Sequence, residues 1–213
     1  MQGLFITVEG PDGAGKTSVI QELVPRLKKI ATRPVVVTRE PGGSRIAEKI
    51  RQLILDKQNT EMDARTEALL YAASRRQHLV EKIMPALAAD EIVICDRFVD
   101  SSLAYQGAAR KLGIQEVAAM NLFATEGLTP ALTLYLDVDS DTGLQRIYRN
   151  RQNEINRLDV EAPQFHQLVR HGYLKVLAEN PERMVKIDAR QPLADVVEDC
   201  YDIVIKRAPN FFQ

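Results

Sequence analysis

Apolar residues follow two alternating rhythms along the chain. Five short runs are β-branched and nearly continuous in hydrophobicity: LFITVE (4–9), PVVVT (34–38), EIVICD (91–96), ALTLYLD (131–137) and MVKID (184–188). Runs of that kind mark parallel strands covered on both faces. Between them, apolar positions return every third or fourth residue, the spacing of a helix. Leu23, Leu27 and Ile30 follow the first run, and Ile46, Ile50, Leu53 and Ile54 follow the second. Leu69, Leu70, Ala73, Val80, Ile83, Met84 and Leu87 outline a long helix before the third. Val117, Met120, Leu122 and Phe123 mark a helix after it, and Leu144, Ile147 and Tyr148 one after the fourth. Phe165, Leu168, Val169, Tyr173, Val176 and Leu177 form another, and Leu193, Val196, Val197, Cys200 and Val204 the last.

The breakers agree with this division. Pro34, the stretch from Gly127 to Pro130, and Asn180–Pro181 interrupt helices, and Pro192 suits a first helical turn. Pro85 falls inside the long helix and predicts a kink there. RNRQNEINRLDVE (149–161) is the most polar stretch, has no strong period and predicts a mobile loop. Strands alternating with helices predict an α/β fold with a parallel sheet. With 213 residues and neither a repeat nor a low-complexity linker, a single domain over 1–213 is expected.

Composition narrows the function. Hydrophobic residues make up 45% and charged residues 27%, which excludes a disordered chain. Lys+Arg 28 against Asp+Glu 29 leaves a net charge of −1. No global field draws the protein to nucleic acid or an acidic membrane, so an anion site must be a local arrangement. No apolar stretch approaches the ~20 residues of a membrane span. The start, MQGLFITVEG, has no basic region and meets an acid at Glu9, unlike a signal peptide. Cys95 and Cys200 form no CxxC, metal-ligand spacing or disulfide framework, and a reduced cytoplasmic enzyme is expected.

One motif carries chemistry outright. Residues 10–17, GPDGAGKT, match G-x-x-x-x-G-K-[ST] between a predicted strand and a predicted helix. Gly10, Pro11, Asp12, Gly13, Ala14 and Gly15 form a turn whose N–H groups can face an anion at the positive end of a helix. Lys16 can reach the β- and γ-phosphates of ATP, and the Thr17 hydroxyl can ligate Mg²⁺. About 0.01 chance matches are expected in a chain of this length.

Such a loop serves kinases and hydrolytic switches alike, so a second substrate site must discriminate. Arg39 in TREPGG and Arg97 in CDRFVDSSLAYQG each follow a strand. In a parallel α/β sheet, ligands bind beyond the carboxyl ends of the strands. Either arginine alone suits a solvated surface as well as a ligand; together beside the loop they predict a second phosphate site. Asp96 ends its strand as a Walker B acid does and could hold Mg²⁺ through water, or cap a turn. An acceptor phosphate is largely dianionic at pH 7 and needs no catalytic base. Accordingly, His78, His166 and His171 read as helix-surface or packing residues. A switch would leave the DRFVDSSLAYQG stretch unexplained, and no N-K-x-D is present to read guanine.

EGPDGAGKT (9–17), TREPGG (38–43), TEALLYAASRRQH (66–78), DRFVDSSLAYQG (96–107), LTLYLDV (132–138), NRLD (156–159) and IDARQPL (187–193) together resemble the bacterial thymidylate kinase family from end to end. The resemblance implies a P-loop nucleoside monophosphate kinase fold, five parallel strands flanked by helices, with a LID over 149–161. It implies ATP-dependent phosphorylation of dTMP to dTDP, with Mg²⁺, in a homodimer built through helix packing. Another nucleotide or nucleoside kinase on the same fold is the alternative.

The family pattern also assigns residues. Asp12 faces the sugar 3′-hydroxyl, and Arg39 and Arg97 hold the dTMP phosphate. Arg75 reaches a thymine carbonyl, Tyr71 packs on the ring, and Ser102 and Gln106 hydrogen-bond the base edge. Tyr105 crowds the place of a 2′-hydroxyl. Arg51 points toward the substrate pocket or is a solvated helix residue, and Arg146 stacks on adenine or is an exposed helix arginine. Without the resemblance, Tyr71 would read as helix core. The loop 10–17 holds no base between its glycines, whereas the LID holds Arg149, Arg151 and Arg157. This resembles the members with a LID arginine, with Arg157 the candidate that neutralises the transferring phosphoryl group and Arg151 second.

Overall fold

A computed structural model describes residues 3–150, 157–158 and 161–213, apart from the side chain of Asn150. Five strands form one sheet: β1 (Leu4–Glu9), β2 (Val35–Arg39), β3 (Ile92–Asp96), β4 (Leu132–Asp137) and β5 (Met184–Asp188). Their order is β2-β3-β1-β4-β5, and every pairing is parallel. All five match the apolar runs to within one residue at either end. The register sets Asp96 beside both Val8 and Arg39, and Glu9 beside Tyr135. Acids and bases therefore collect at one end of the sheet, where the central strands finish.

Helices cover both faces, which is why the strand interiors are apolar throughout. On one face, α1 (Lys16–Ile30) and α9 (Leu193–Arg207) bury Leu23, Leu27, Val197 and Val204 against β1 and β4. Each fully buried Leu or Val contributes ~1.5–3 kcal/mol of hydrophobic stabilisation. On the other face, α8 (Pro163–Glu179) packs Val169 and Tyr173 on Tyr135, the two tyrosine rings stacked at 5.1 Å. Phe5 of β1 meets Phe98 edge-on at 5.0 Å.

The long helix before β3 is not one element. It runs as α3 (Ala64–His78), a π-helical turn over Leu79–Ile83, and α4 (Met84–Ala88). Pro85 stands in the first turn of α4. Proline has no N–H to donate and its ring crowds the carbonyl four residues back, and the wider π turn absorbs that mismatch. The expected kink is thus a change of helix type. After β3 the chain forms α5 (Val99–Ser102) and a second π turn over Leu103–Ala109, elements the apolar spacing does not predict. The remaining helices are α2 (Arg45–Leu55), α6 (Ile114–Thr125) and α7 (Ser140–Asn150). Arg149 closes α7 rather than opening a loop. Arg151 and the rest of 151–156 and 159–160 in the expected LID lie outside the described residues.

Candidate active site

A cavity of about 790 Å³ opens at the carboxyl end of the sheet. Asp12 to Thr17 of the loop form its floor, and Gly10 and Pro11 lie behind it. Gly10, Gly13 and Gly15 all have positive φ. Gly13 (φ +77°) requires glycine twice over, because a Cβ there would also run into the Gly143 carbonyl of α7. Lys16 is buried, and its Nζ donates to the carbonyls of Gly10 and Pro11, each at 2.9 Å. Burial, and then the Arg97 guanidinium, push the Lys16 ammonium down to about 8. Thr17 Oγ1 donates to Asp96 Oδ2 at 3.4 Å. The other Asp96 oxygen, Oδ1, is buried with no hydrogen-bond partner among the described residues.

Arg97 joins the loop to the second substrate wall. Its backbone is left-handed (φ +70°), a strained state for a side chain of this size. Its Nη2 pairs with Asp12 Oδ1 at 2.6 Å, and its Nη1 donates to Gly10 O, Ser101 Oγ and Tyr173 OH. Tyr105 OH donates to the other Asp12 oxygen at 2.7 Å. Burial works against charge on Asp12, but Arg97, Lys16 and the Tyr105 hydroxyl outweigh it and hold the carboxyl below its usual range. Glu9 holds the strained turn from beneath, accepting from the Phe98 N–H and the Ser101 hydroxyl, both at 2.6 Å, and from Tyr173 OH at 2.9 Å. Burial, then the Asp100 carboxylate, push the Glu9 carboxyl up to about 7.

The far wall is built by α3 and the second π turn. Asp63 caps α3, accepting from the N–H groups of Arg65 and Thr66. Glu67, Tyr71, Arg75 and His78 then recur at helical spacing, and Ser102, Tyr105 and Gln106 do so on the facing segment. Arg75 is 2% exposed. Its Nε pairs with Glu40 at 2.7 Å, Nη1 reaches Ser102 and Asn121, and Nη2 donates to Phe98 O at 2.9 Å. His78 grips Glu40 from the other side at 3.0 Å and Thr38 at 2.6 Å. It is a packing residue, as expected, and it also fixes the acid that fixes Arg75.

The remaining candidates divide. Arg51, Tyr71, Arg146 and Arg39 line the same cavity. Arg51 donates to Pro41 O and Arg146 to Ala189 O, each at 2.9 Å. Arg39 makes a two-armed pair with Glu48, at 2.9 and 3.1 Å. Arg157 is buried against the wall with its guanidinium on Ile54 O and Glu67. Its neighbour Leu158 lines the cavity, and Arg157 is not among the lining residues.

A family model described as thymidylate kinase matches residues 8–200. The chain belongs to the thymidylate kinase family. It is 64% identical over 212 residues to the thymidylate kinase of Enterococcus faecalis, and 61% identical over 213 residues to that of Latilactobacillus sakei, covering the whole of both chains in each case. The thymidylate kinase of Lacticaseibacillus casei is 58% identical over 214 residues, again with full coverage.

Three acids that hold the walls of this cavity, Glu9, Glu40 and Glu67, escape a reading of the sequence. Glu40 lies inside TREPGG and Glu67 inside TEALL, so the motifs contain them without giving their role. Glu9 stands one residue before the phosphate loop.

Proposed function

We propose that the protein transfers the γ-phosphoryl group of ATP directly to dTMP, giving ADP and dTDP, within one thymidylate kinase domain over 1–213. The observation that carries this is the single cavity. It joins Lys16 and Thr17 to Arg97, and Arg97 to Tyr71, Arg75, Ser102 and Gln106.

Lys16 and the N–H groups of the loop bind the β- and γ-phosphates. Lys16 remains largely protonated at neutral pH even with its affinity for the proton lowered. Arg97, with Arg39 and Arg51 beside it, draws in the acceptor phosphate and aligns it with the donor. Arg39 reaches that phosphate by exchanging Glu48 for the ligand. Asp12 and Tyr105 take the sugar edge, Tyr71 packs on the base, and Arg75, Ser102 and Gln106 read it. Arg146 takes the adenine side, where Ala189 and Gln191 also line the cavity. Arg157 neutralises the moving phosphoryl group once its guanidinium leaves Glu67. No base is required, because the acceptor phosphate is already ionised. Positioning and fixed charge supply the rate.

Mg²⁺ fits the residues present. The unpartnered Asp96 Oδ1 and the adjacent Thr17 hydroxyl are hard oxygen donors, and Mg²⁺ uses few protein ligands because it keeps waters and phosphate oxygens. When bound there, it would offset negative charge on the donor phosphates.

Surface apolarity supports a homodimer. Leu69 (58% exposed), Leu122 (63%) and Phe123 (89%) stand on the adjacent helices α3 and α6. A second copy of this chain would cover them, giving the homodimer, and sedimentation velocity at micromolar concentration reads it as a doubled mass. Both cysteines are buried free thiols, which suits the reducing cytoplasm. No described helix is long and apolar enough to cross a membrane.

The test is an ADP-release assay with ATP and Mg²⁺, adding dTMP, dUMP, dGMP, AMP, UMP or thymidine singly. Release that depends on dTMP, with thymidine inert, is expected. Release without any acceptor would replace the reading with a hydrolytic switch.

A further inference from the structure

Glu67 stands behind the base end of the cavity, in the first turn of α3, and is fully buried. Gln106 Nε2 donates to its Oε1 at 2.8 Å. Arg110 embraces the same carboxylate, Nε to Oε1 at 3.3 Å and Nη2 to Oε2 at 3.1 Å, and Arg157 also donates to Oε2. Burial opposes charge on Glu67, but the Gln106 bond and the two guanidiniums outweigh it and hold the carboxyl below its usual range.

An ionised carboxylate has lone pairs and no proton, so it only accepts. An amide bonded to it must therefore turn its NH₂ toward it, which settles an orientation that amide shape alone leaves open. The carbonyl oxygen of Gln106 lies on the opposite arm of the planar amide. Gln106 lines the cavity, so that oxygen is the arm left for a ligand.

We propose that Glu67 is a positioning residue that sets base specificity: it fixes Gln106 with its carbonyl oxygen toward the base, admitting pyrimidines with an N3 proton and rejecting those with an N3 lone pair. The proposal rests on the reading of this cavity as the dTMP site. Thymine and uracil carry N3–H and a C4 carbonyl, whereas cytosine carries an N3 lone pair and a C4 amine. Arg75 agrees with this choice. Among the described residues, four of its five N–H groups are taken by Glu40, Ser102, Asn121 and Phe98, leaving one donor for a C4 carbonyl and nothing that accepts from an amine.

Glu67→Gln tests the idea sharply. While Arg157 rests on this side chain, Arg157 and Arg110 Nη2 both donate at Oε2, and only the longer Arg110 Nε contact (3.3 Å) falls on Oε1. The new side chain therefore keeps its oxygen at Oε2, gives up that longer contact, and turns its NH₂ on the Oε1 side toward Gln106. Gln106 then turns over and offers NH₂ to the base, which suits cytosine N3 and opposes thymine N3–H. The measurement is kcat/KM for dTMP, dUMP and dCMP in the wild type, Glu67→Gln and Glu67→Asp. The dTMP:dCMP ratio is expected to fall about tenfold to a hundredfold in Glu67→Gln, mainly through KM. Glu67→Asp, still acceptor-only, is expected to retain the wild-type preference while losing activity on all three.

A wild type inactive on dTMP would sink the reading of the cavity. A wild type active on dTMP, with the ratio unchanged in Glu67→Gln, would overturn the role of Glu67 alone. The wild type also answers without the variants. The Gln106 NH₂ resonances, assigned by their loss in Gln106→Met, should stay protected from exchange and shift little when dTMP binds. A large ligand-dependent shift, with loss of protection, would mean that the NH₂ faces the base and would contradict the proposal.

Discussion

At the donor end of the cavity, eight consecutive residues from Gly10 to Thr17 make the site largely from backbone. At the base end, Arg75 comes from α3 and Ser102 and Gln106 from the segment after β3, and buried acids hold Arg75 and Gln106 in place. Gln106 meets an acid 39 positions away in the chain, and Arg75 one 35 positions away. In the proposed function the donor end recognises a feature common to all nucleoside triphosphates, a run of anionic oxygens, and backbone N–H groups suffice for that. The base end must distinguish donors from acceptors on a flat ring, which demands side chains whose own orientation is fixed. Generic recognition can be written locally; selective recognition is assembled across the fold.

The contrast predicts different failures. Lys16→Ala strikes the donor end, where one charge faces the reacting phosphates, and turnover should fall to background with the fold intact. A variant retaining appreciable kcat in the coupled assay would dissociate Lys16 from the transferred group.

Arg157→Ala should lower kcat by about a thousandfold, as loss of an arginine finger does, with little change in KM for dTMP. Gln106 and Arg110 still hold Glu67 in that variant, which keeps the base end in order. Full kcat in Arg157→Ala would remove this arginine from the mechanism.

Glu40→Ala should break the base end by another route. It leaves the buried Arg75 guanidinium without its counter-charge, costing about 3 kcal/mol of stability. Urea unfolding measures the loss, and the KM for dTMP should rise with it. Unchanged stability would mean that Asn121, Ser102 and Phe98 O already satisfy Arg75.

A pH dependence is expected at the junction between the two ends. Glu9 has a folded value near 7 against an ordinary 4.5, so the folded state holds this proton more tightly than the unfolded chain. Its contribution to stability is fully present below about pH 4.5 and declines as pH rises toward 7. Glu9→Gln cannot ionise, so the wild type should lose stability relative to it across that window in urea titrations. A constant difference between the two proteins would show that Glu9 does not titrate there.

The same contrast explains what could be read from residues alone. The five strands were legible because parallel strands buried on both faces are apolar throughout. GPDGAGKT was legible because its geometry is contiguous. Arg39 and Arg97 were legible as bases at strand ends, although the bidentate pair of Arg39 with Glu48 was not. The helix type around Pro85 and over Leu103–Ala109 was hidden, because π turns carry no spacing of their own. Glu9, Glu40 and Glu67 were hidden for a different reason. Each is an ordinary acid, Glu9 in a strand, Glu40 in the bend after one and Glu67 in a helix, until folding sets a distant partner against it. Only resemblance to a family marked Tyr71, Arg75, Ser102 and Gln106 as base-site residues, and it said nothing of what aims them.

In the proposed function, donor and acceptor occupy one cavity together, so the phosphoryl group passes between them in a single displacement. The stereochemical course at phosphorus tests this most directly, using ATP made chiral at the γ-phosphorus with oxygen isotopes and dTMP as acceptor. In-line transfer predicts inversion of configuration in the dTDP formed. Retention would mean two displacements through a phosphorylated enzyme group, and would contradict the account.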